Sequence, residues 1–147
     1  MKIQADSGLC RGCEACALAC SLLHEGLSNP LLSRVLVKKD MARFQFQLII
    51  CEQCDTPECV EACPNQAIRF DERRVVMIYE EECLHCGACA EACPYGAIFY
   101  HPATDRYIKC DVCAELPGPA CVEICPVSAL ALKVDAGASR PAAQGGK

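Results

Sequence analysis

The sequence predicts a small α+β fold, two interlocked modules of short hairpins and one-turn helices built around four clusters of cysteine. Three observations carry that prediction. The chain holds 16 cysteines in 147 residues, far more than a packed apolar core uses. The cysteines fall into four related units, ACALACS at 15–21, ECVEACPNQAI at 58–68, ACAEACPYGAI at 88–98 and ACVEICPVSAL at 120–130, so the chain is an internal repeat. Between the units lie only short runs that alternate apolar and polar residues, the period of strands.

Taken in order, those runs are RVLVK (34–38), FQFQLI (44–49), AIRF (67–70), RVVMIY (74–79), AIFY (97–100), RYIKC (106–110) and ALALKV (129–134). DERR separates the third run from the fourth and HPATD the fifth from the sixth, so each of these two pairs is expected to form a hairpin. Segments such as CAEAC, between the third and fourth cysteine of a quartet, have room for about one helical turn. One cysteine-rich domain is therefore expected over residues 1–132, with a tail over 133–147. After Val134 the composition changes to DAGASRPAAQGGK, which has no apolar face to bury.

The first quartet, Cys10, Cys13, Cys16 and Cys20, leaves two, two and three residues between its members, and Cys83, Cys86, Cys89 and Cys93 repeat that spacing. CxxCxxCxxxC, usually followed by proline, is the bacterial ferredoxin signature of a [4Fe-4S] cluster. Three thiols on a tight loop reach three irons of one cubane, and the helical turn that follows turns the fourth toward a neighbouring cluster, so quartets work in pairs. Cys51, Cys54, Cys59 and Cys63 widen the middle gap to four residues, and Cys110, Cys113, Cys121 and Cys125 widen it to seven. Both keep the CxxC start and the CxxxCP finish, and a surface loop can lengthen at little entropic cost, the less so when stiffened by Pro57, Pro117 and Pro119. Four [4Fe-4S] clusters are expected. Zinc is the competing metal, but all-cysteine zinc sites join two CxxC knuckles across a dozen or more residues. Disulfides are the other alternative, and no apolar leader precedes Cys10 to indicate an oxidising destination.

No nucleophile with a His and carboxylate, no phosphate-binding glycine loop and no nicotinamide or flavin fingerprint is present. The sequence therefore points to a carrier of electrons, not an enzyme. A formal charge of −5, made more negative by four thiolate clusters, disfavours nucleic acid and favours basic docking surfaces. FQFQLII is too short to cross a bilayer, so a cytoplasmic protein without direct membrane insertion is expected. His85, inside the third quartet, reads as a surface or supporting histidine with proton coupling as the alternative. Glu61, Glu91 and Glu123 share one helical slot and read as solvated. Lys109 reads as solvated, as a donor to a cluster sulfur or as facing a partner.

Over residues 9–132 the order of quartets, with CEQCDTPECVEACP second, CLHCGACAEACPYGAI third and KCDVCAELPGPACVEICPVSAL last, resembles the four-cluster electron-transfer subunits of the DMSO reductase beta-subunit class. Spacing alone leaves three ways to pair the quartets. The resemblance implies that the second pairs with the third and the first with the fourth, giving clusters on Cys10, Cys13, Cys16 and Cys125; on Cys51, Cys54, Cys59 and Cys93; on Cys83, Cys86, Cys89 and Cys63; and on Cys110, Cys113, Cys121 and Cys20. It also implies a catalytic oxidoreductase partner and a further donor or acceptor subunit. Among compact members the chain is similar to the small subunits of tungsten aldehyde oxidoreductases or carbon monoxide dehydrogenases, and a tungsten or molybdenum partner is expected. A free polyferredoxin serving several enzymes is the alternative function, a redox-sensing Fe-S protein a third, and head-to-tail self-association into filaments a further expectation. Ser21 stands where the signature has proline, a departure read as harmless because proline is not a ligand.

Overall fold

The computed structural model describes residues 1–134; all but the first two residues of the expected tail lie outside them. In chain order the elements are β1 (Lys2–Ala5), α1 (Ala15–Glu25), β2 (Val35–Asp40), β3 (Gln45–Ile50), α2 (Glu58–Ala62), β4 (Ile68–Phe70), β5 (Val76–Ile78), α3 (Ala88–Ala92), β6 (Ile98–His101), β7 (Arg106–Lys109), α4 (Ala120–Ile124) and β8 (Leu130–Lys133), with 3-10 turns at Pro30–Leu32 and Glu80–Glu82. Four antiparallel two-stranded ribbons result: β2 with β3, β4 with β5, β6 with β7, and β1 with β8. The last of these joins the two ends of the described chain, Ile3 opposite Leu132, and extends the folded domain to Lys133.

The helices differ in length for a reason written in the residue after each fourth cysteine. A residue before proline is pushed out of the helical region, and proline cannot continue a helix. Cys63, Cys93 and Cys125, each followed by proline, are accordingly extended, with ψ of 114°, 114° and 113°, and α2, α3 and α4 stop after five residues. Ser21 imposes no such stop. Helix α1 runs for 11 residues, until Gly26 closes it in the left-handed region at φ 70°, its N–H on the Leu22 carbonyl. The missing proline thus makes α1 twice as long as its repeats.

Helix α1 packs on α4, and α2 on α3. The larger core gathers Ile3, Val35, Val37, Ile50, Val75 and Leu130 together with cysteines of three quartets, and the smaller gathers Ile68, Val76 and Ile98 around Cys59 and Cys89. The far end of α1 is tied to the β6–β7 hairpin by Glu25. Its carboxylate accepts two hydrogen bonds from Arg106 Nη2, at 2.9 and 2.8 Å, and lies 3.3 Å from Nε2 of buried His101.

Candidate iron-sulfur centres

The repeat in sequence is also a repeat in hydrogen bonding to sulfur. In every quartet the backbone N–H two residues after the first cysteine points at its Sγ: Gly12 to Cys10 at 3.4 Å, Gln53 to Cys51 at 3.5 Å, His85 to Cys83 at 3.4 Å and Val112 to Cys110 at 3.3 Å. The donor residue is left-handed each time, with φ between 49° and 71°. Glycine takes that conformation freely, whereas Gln53, His85 and Val112 take it at a cost of about 1 kcal/mol or more each. A second turn follows the fourth cysteine in three quartets. Ala67, Ala97 and Ala129 donate to Cys63, Cys93 and Cys125 at 3.2, 3.5 and 3.2 Å, each after a left-handed Gln66, Gly96 or Ser128. In the first quartet, where α1 runs on, the Arg34 N–H reaches Cys20 Sγ at 3.4 Å from a different segment. The fourth quartet, despite its seven-residue insert, carries the full set.

Helix pairing brings thiols of different quartets together. Cys10, Cys13, Cys16 and Cys125 line one cavity, and Cys20, Cys110, Cys113 and Cys121 line another. Cys63 and Cys93 pack against the small core that holds Cys59 and Cys89. Half of the sixteen thiols are held above their ordinary value, whereas at Cys63 burial is outweighed by backbone N–H groups, which hold it below. Burial pushes Cys16 up to about 11, the nearby Cys10, Cys13 and Cys125 adding to the rise. It pushes Cys113 and Cys121 up to about 12, with Cys20 contributing to both, and Cys110 well above its ordinary value. Cys54 and Cys59 are raised by burial and by Cys51 and Cys93, and burial raises Cys89 to about 11. Several thiols that oppose one another's ionisation become thiolates together only around a cation that compensates them. An all-sulfur donor set with N–H groups aimed at the sulfurs fits an iron-sulfur cluster.

The other residues singled out in the sequence divide. Glu61, Glu91 and Glu123 are exposed, as expected. His85 is exposed and its ring sits 2.9 Å from the Glu80 carboxylate, so its service to the site is through its backbone N–H. Lys109 corrects the expectation: it is 4% exposed and its ammonium donates to the Val76 and Cys110 carbonyls, not to sulfur or to solvent. The insert AELPGPA is anchored inward, because Arg73 of the β4–β5 turn donates to the Ala114 carbonyl, and Gly118 and Pro119 are buried.

Three residues were missed in the sequence. Nε2 of His24 lies 3.5 Å from Cys113 Sγ and 3.6 Å from the Asp111 carboxylate, which Arg34 holds at 2.5 Å. Burial and the Arg34 charge push the His24 imidazole below its ordinary value, so near neutral pH it is an uncharged neighbour of the sulfur. His24, Asp111 and Cys113 could group around a metal ion, yet Cys113 belongs to the thiol set of the fourth quartet and Arg34 already engages Asp111. Phe46 and Tyr107 were also unforeseen: each covers a glycine of a cysteine loop, Gly12 and Gly87, so closely that a Cβ would stand 2.4 and 2.6 Å from the ring or its hydroxyl.

Residues 42–135 match the family model of the 4Fe-4S dicluster domain, and residues 7–23 that of a 4Fe-4S binding domain. The chain belongs to the 4Fe-4S dicluster family. The chain is 33% identical over 136 residues to the thiosulfate reductase electron transfer subunit PhsB of Salmonella typhi, covering 85% of this chain and 71% of that one. It is 39% identical over 142 residues to the polyferredoxin-like subunit of the aliphatic sulfonate oxidoreductase of Pyrococcus furiosus, covering 90% and 76%. Among solved structures it resembles a chain of the active site complex BamBC of benzoyl coenzyme A reductase, with a TM-score of 0.53 and 26% identity over 88% of this chain and 76% of that one. Among the described residues no helix is long and apolar enough to cross a membrane.

Proposed function

We propose that this dicluster protein is a non-catalytic electron-transfer subunit that carries four [4Fe-4S] clusters and relays electrons between a catalytic oxidoreductase and a further subunit or acceptor. The observation that carries this reading is the sulfur hydrogen-bond pattern at all four quartets, with strained left-handed residues retained to make it. Relatives named as electron-transfer or polyferredoxin-like subunits of reductases and oxidoreductases support it. When bound, each cluster takes up and releases one electron.

The ligand sets follow the helix pairs. Cys10, Cys13, Cys16 and Cys125 hold one cluster and Cys110, Cys113, Cys121 and Cys20 its mate, supported by the two cavities they line. Cys51, Cys54, Cys59 and Cys93 hold a third. Cys83, Cys86, Cys89 and Cys63 hold the fourth, supported by the packing of α2 on α3. The chain's own part is to bury the clusters, fix the thiol positions and donate N–H groups to the sulfurs, which favours the reduced, more negative state.

The partner is assigned as a tungsten enzyme of the aldehyde oxidoreductase type. Anaerobic purification of the native complex tests both levels. About sixteen iron and sixteen sulfide per chain are expected for four cubanes, together with tungsten in a tightly held larger subunit. Half that iron overturns the four-cluster reading, nickel or molybdenum without tungsten overturns the choice of partner, and a monomer with no companion favours a free polyferredoxin.

A further inference from the structure

Lys109 is the only buried lysine or arginine among the described residues. It lies at the end of β7, where the two quartet pairs meet. Its Nζ donates to the Val76 carbonyl on β5 and, at 2.9 Å, to the carbonyl of Cys110. The Cys110 carbonyl also accepts from Gln53 Nε2 at 2.8 Å, and Gln53 Oε1 accepts from the Val76 N–H at 2.7 Å. Four hydrogen bonds thus lace together the CxxC loop of the second quartet, strand β5 and the first ligand of the fourth quartet.

Among the described residues no carboxylate forms an ion pair with this ammonium. A buried cation held by carbonyls alone is costly, so the site lacks a counter-charge from the protein. The thiols on either side would supply one as cluster ligands, since a [4Fe-4S] core with four thiolates is net negative in both of its usual redox states. Lys109 adjoins Cys110 in sequence. Burial raises the Cys59 thiol of the second quartet and the Lys109 charge acts against that rise, toward the thiolate; at Cys110 the Lys109 charge acts the same way, behind the Val112 N–H.

We propose that Lys109 is the shared counter-charge of the two clusters that meet at this junction, raising the potential of both and so easing the electron step from one quartet pair to the other. The clusters concerned are those on Cys51, Cys54, Cys59 and Cys93 and on Cys110, Cys113, Cys121 and Cys20, and the inference rests on that assignment. In the step one electron leaves one cluster, which is oxidised, and reduces the other; no bond changes, and Lys109 keeps its proton. A fixed charge between the two favours the extra electron on either side, so it lowers the work of entering the junction without trapping the electron in one direction. Lys109 is a positioning and tuning residue, not a ligand.

Redox titration followed by EPR tests this on the four-cluster protein, with iron content measured first. Lys109→Gln keeps a donor for the Val76 carbonyl and removes the charge; Lys109→Arg keeps the charge. Full iron, two of the four signals moved to lower potential in Lys109→Gln, and wild-type positions in Lys109→Arg are expected. Four unmoved signals overturn the inference, and so does an equal shift in Lys109→Arg, which packing alone explains. If Lys109→Gln sheds iron, Gln53→Glu is titrated instead: a carboxylate at the same junction offsets the ammonium and lowers the same two signals, and unmoved signals again overturn it. A wild-type chain that lacks either flanking cluster overturns the assignment and the inference together, whereas four clusters with unmoved potentials overturn the role of Lys109 alone.

Discussion

The second and third quartets are near copies of one another, and the first and fourth are not. In the inner pair both helices have five residues, both end at Cys-Pro, and only three of eight thiols are buried. In the outer pair α1 has 11 residues, the fourth quartet carries a seven-residue insert, and six of eight thiols are buried. What is common to all four is the N–H to sulfur contact after the first cysteine. What differs is burial and the polar groups nearby, since Arg34, Asp111 and His24 gather beside Cys20 and Cys113 of the outer pair. The repeat therefore fixes how a thiol is held, and the elaborations fix the medium around it. Charge and burial set cluster potentials, so the proposed clusters can differ in potential although built on one motif.

The sharpest way to break this comparison is to remove from each pair one thiol that the proposed pairing lends to the neighbouring cluster. Cys20→Ser and Cys63→Ser are each expected to lose one cluster, about four iron per chain. Cys20 is 7% exposed in the larger core, whereas Cys63 is half-buried beside the smaller one. Because metal binding in a core is also folding free energy, Cys20→Ser should lose soluble protein as well as iron, a destabilisation of about 3–5 kcal/mol. Cys63→Ser should stay soluble. Equal yields and equal thermal midpoints would remove the distinction between a core-forming pair and a peripheral one.

A smaller effect separates backbone strain from crowding. Gly12 and Gly87 have φ of 71° and 79° and sit under Phe46 and Tyr107, while Gly26 has φ 70° and open space around it. Gly26→Ala therefore carries only the left-handed penalty, about 1 kcal/mol. Gly12→Ala and Gly87→Ala add a clash and should cost about 2–3 kcal/mol, read as a lower thermal midpoint. Phe46→Leu should recover part of the loss in Gly12→Ala, because the ring is what the new Cβ meets. No recovery would place the whole cost in the backbone.

Local signals were legible in the sequence and distant ones were not. The hairpins at 68–78 and 98–109 follow from alternation and turn residues, and the four quartets from spacing. Strand β1 went unread because only Ile3 of its four residues is fully buried and its partner lies at the other end of the domain. Ser21 was read as neutral, since the ligand argument ignores that proline stops the helix. Lys109 was misread because RYIKC does not say that β5 will lie across it. His24 and Cys113 are 89 residues apart, and nothing local marks either as the other's neighbour. The left-handed turns at Gln53, His85 and Val112 carry no glycine to announce them.

The smallest effect concerns the turn that holds the insert of the fourth quartet, and it tests whether that insert depends on the inner pair. Asp71 accepts from the Arg73 and Val75 N–H groups at 2.9 and 2.8 Å and from Arg73 Nε at 2.9 Å; Arg73 in turn holds the Ala114 carbonyl. Burial works against its ionisation, but these hydrogen bonds prevail and hold its carboxyl below the ordinary carboxylate value. A carboxyl lowered in the folded state stabilises the protein above its unfolded pKa, about 3.9, and loses that contribution as pH falls through the lower folded value. Asp71→Asn should therefore melt lower than wild type by about 1 kcal/mol, by the same margin from pH 8 to pH 5, and the gap should close only below about pH 4. Since the turn reaches the insert through Arg73, the same variant should expose the 114–119 segment to protease while leaving the iron content whole. Unchanged protease resistance would mean that the insert is held by the fourth quartet alone, and that Arg73 adds nothing to the contact between the two pairs.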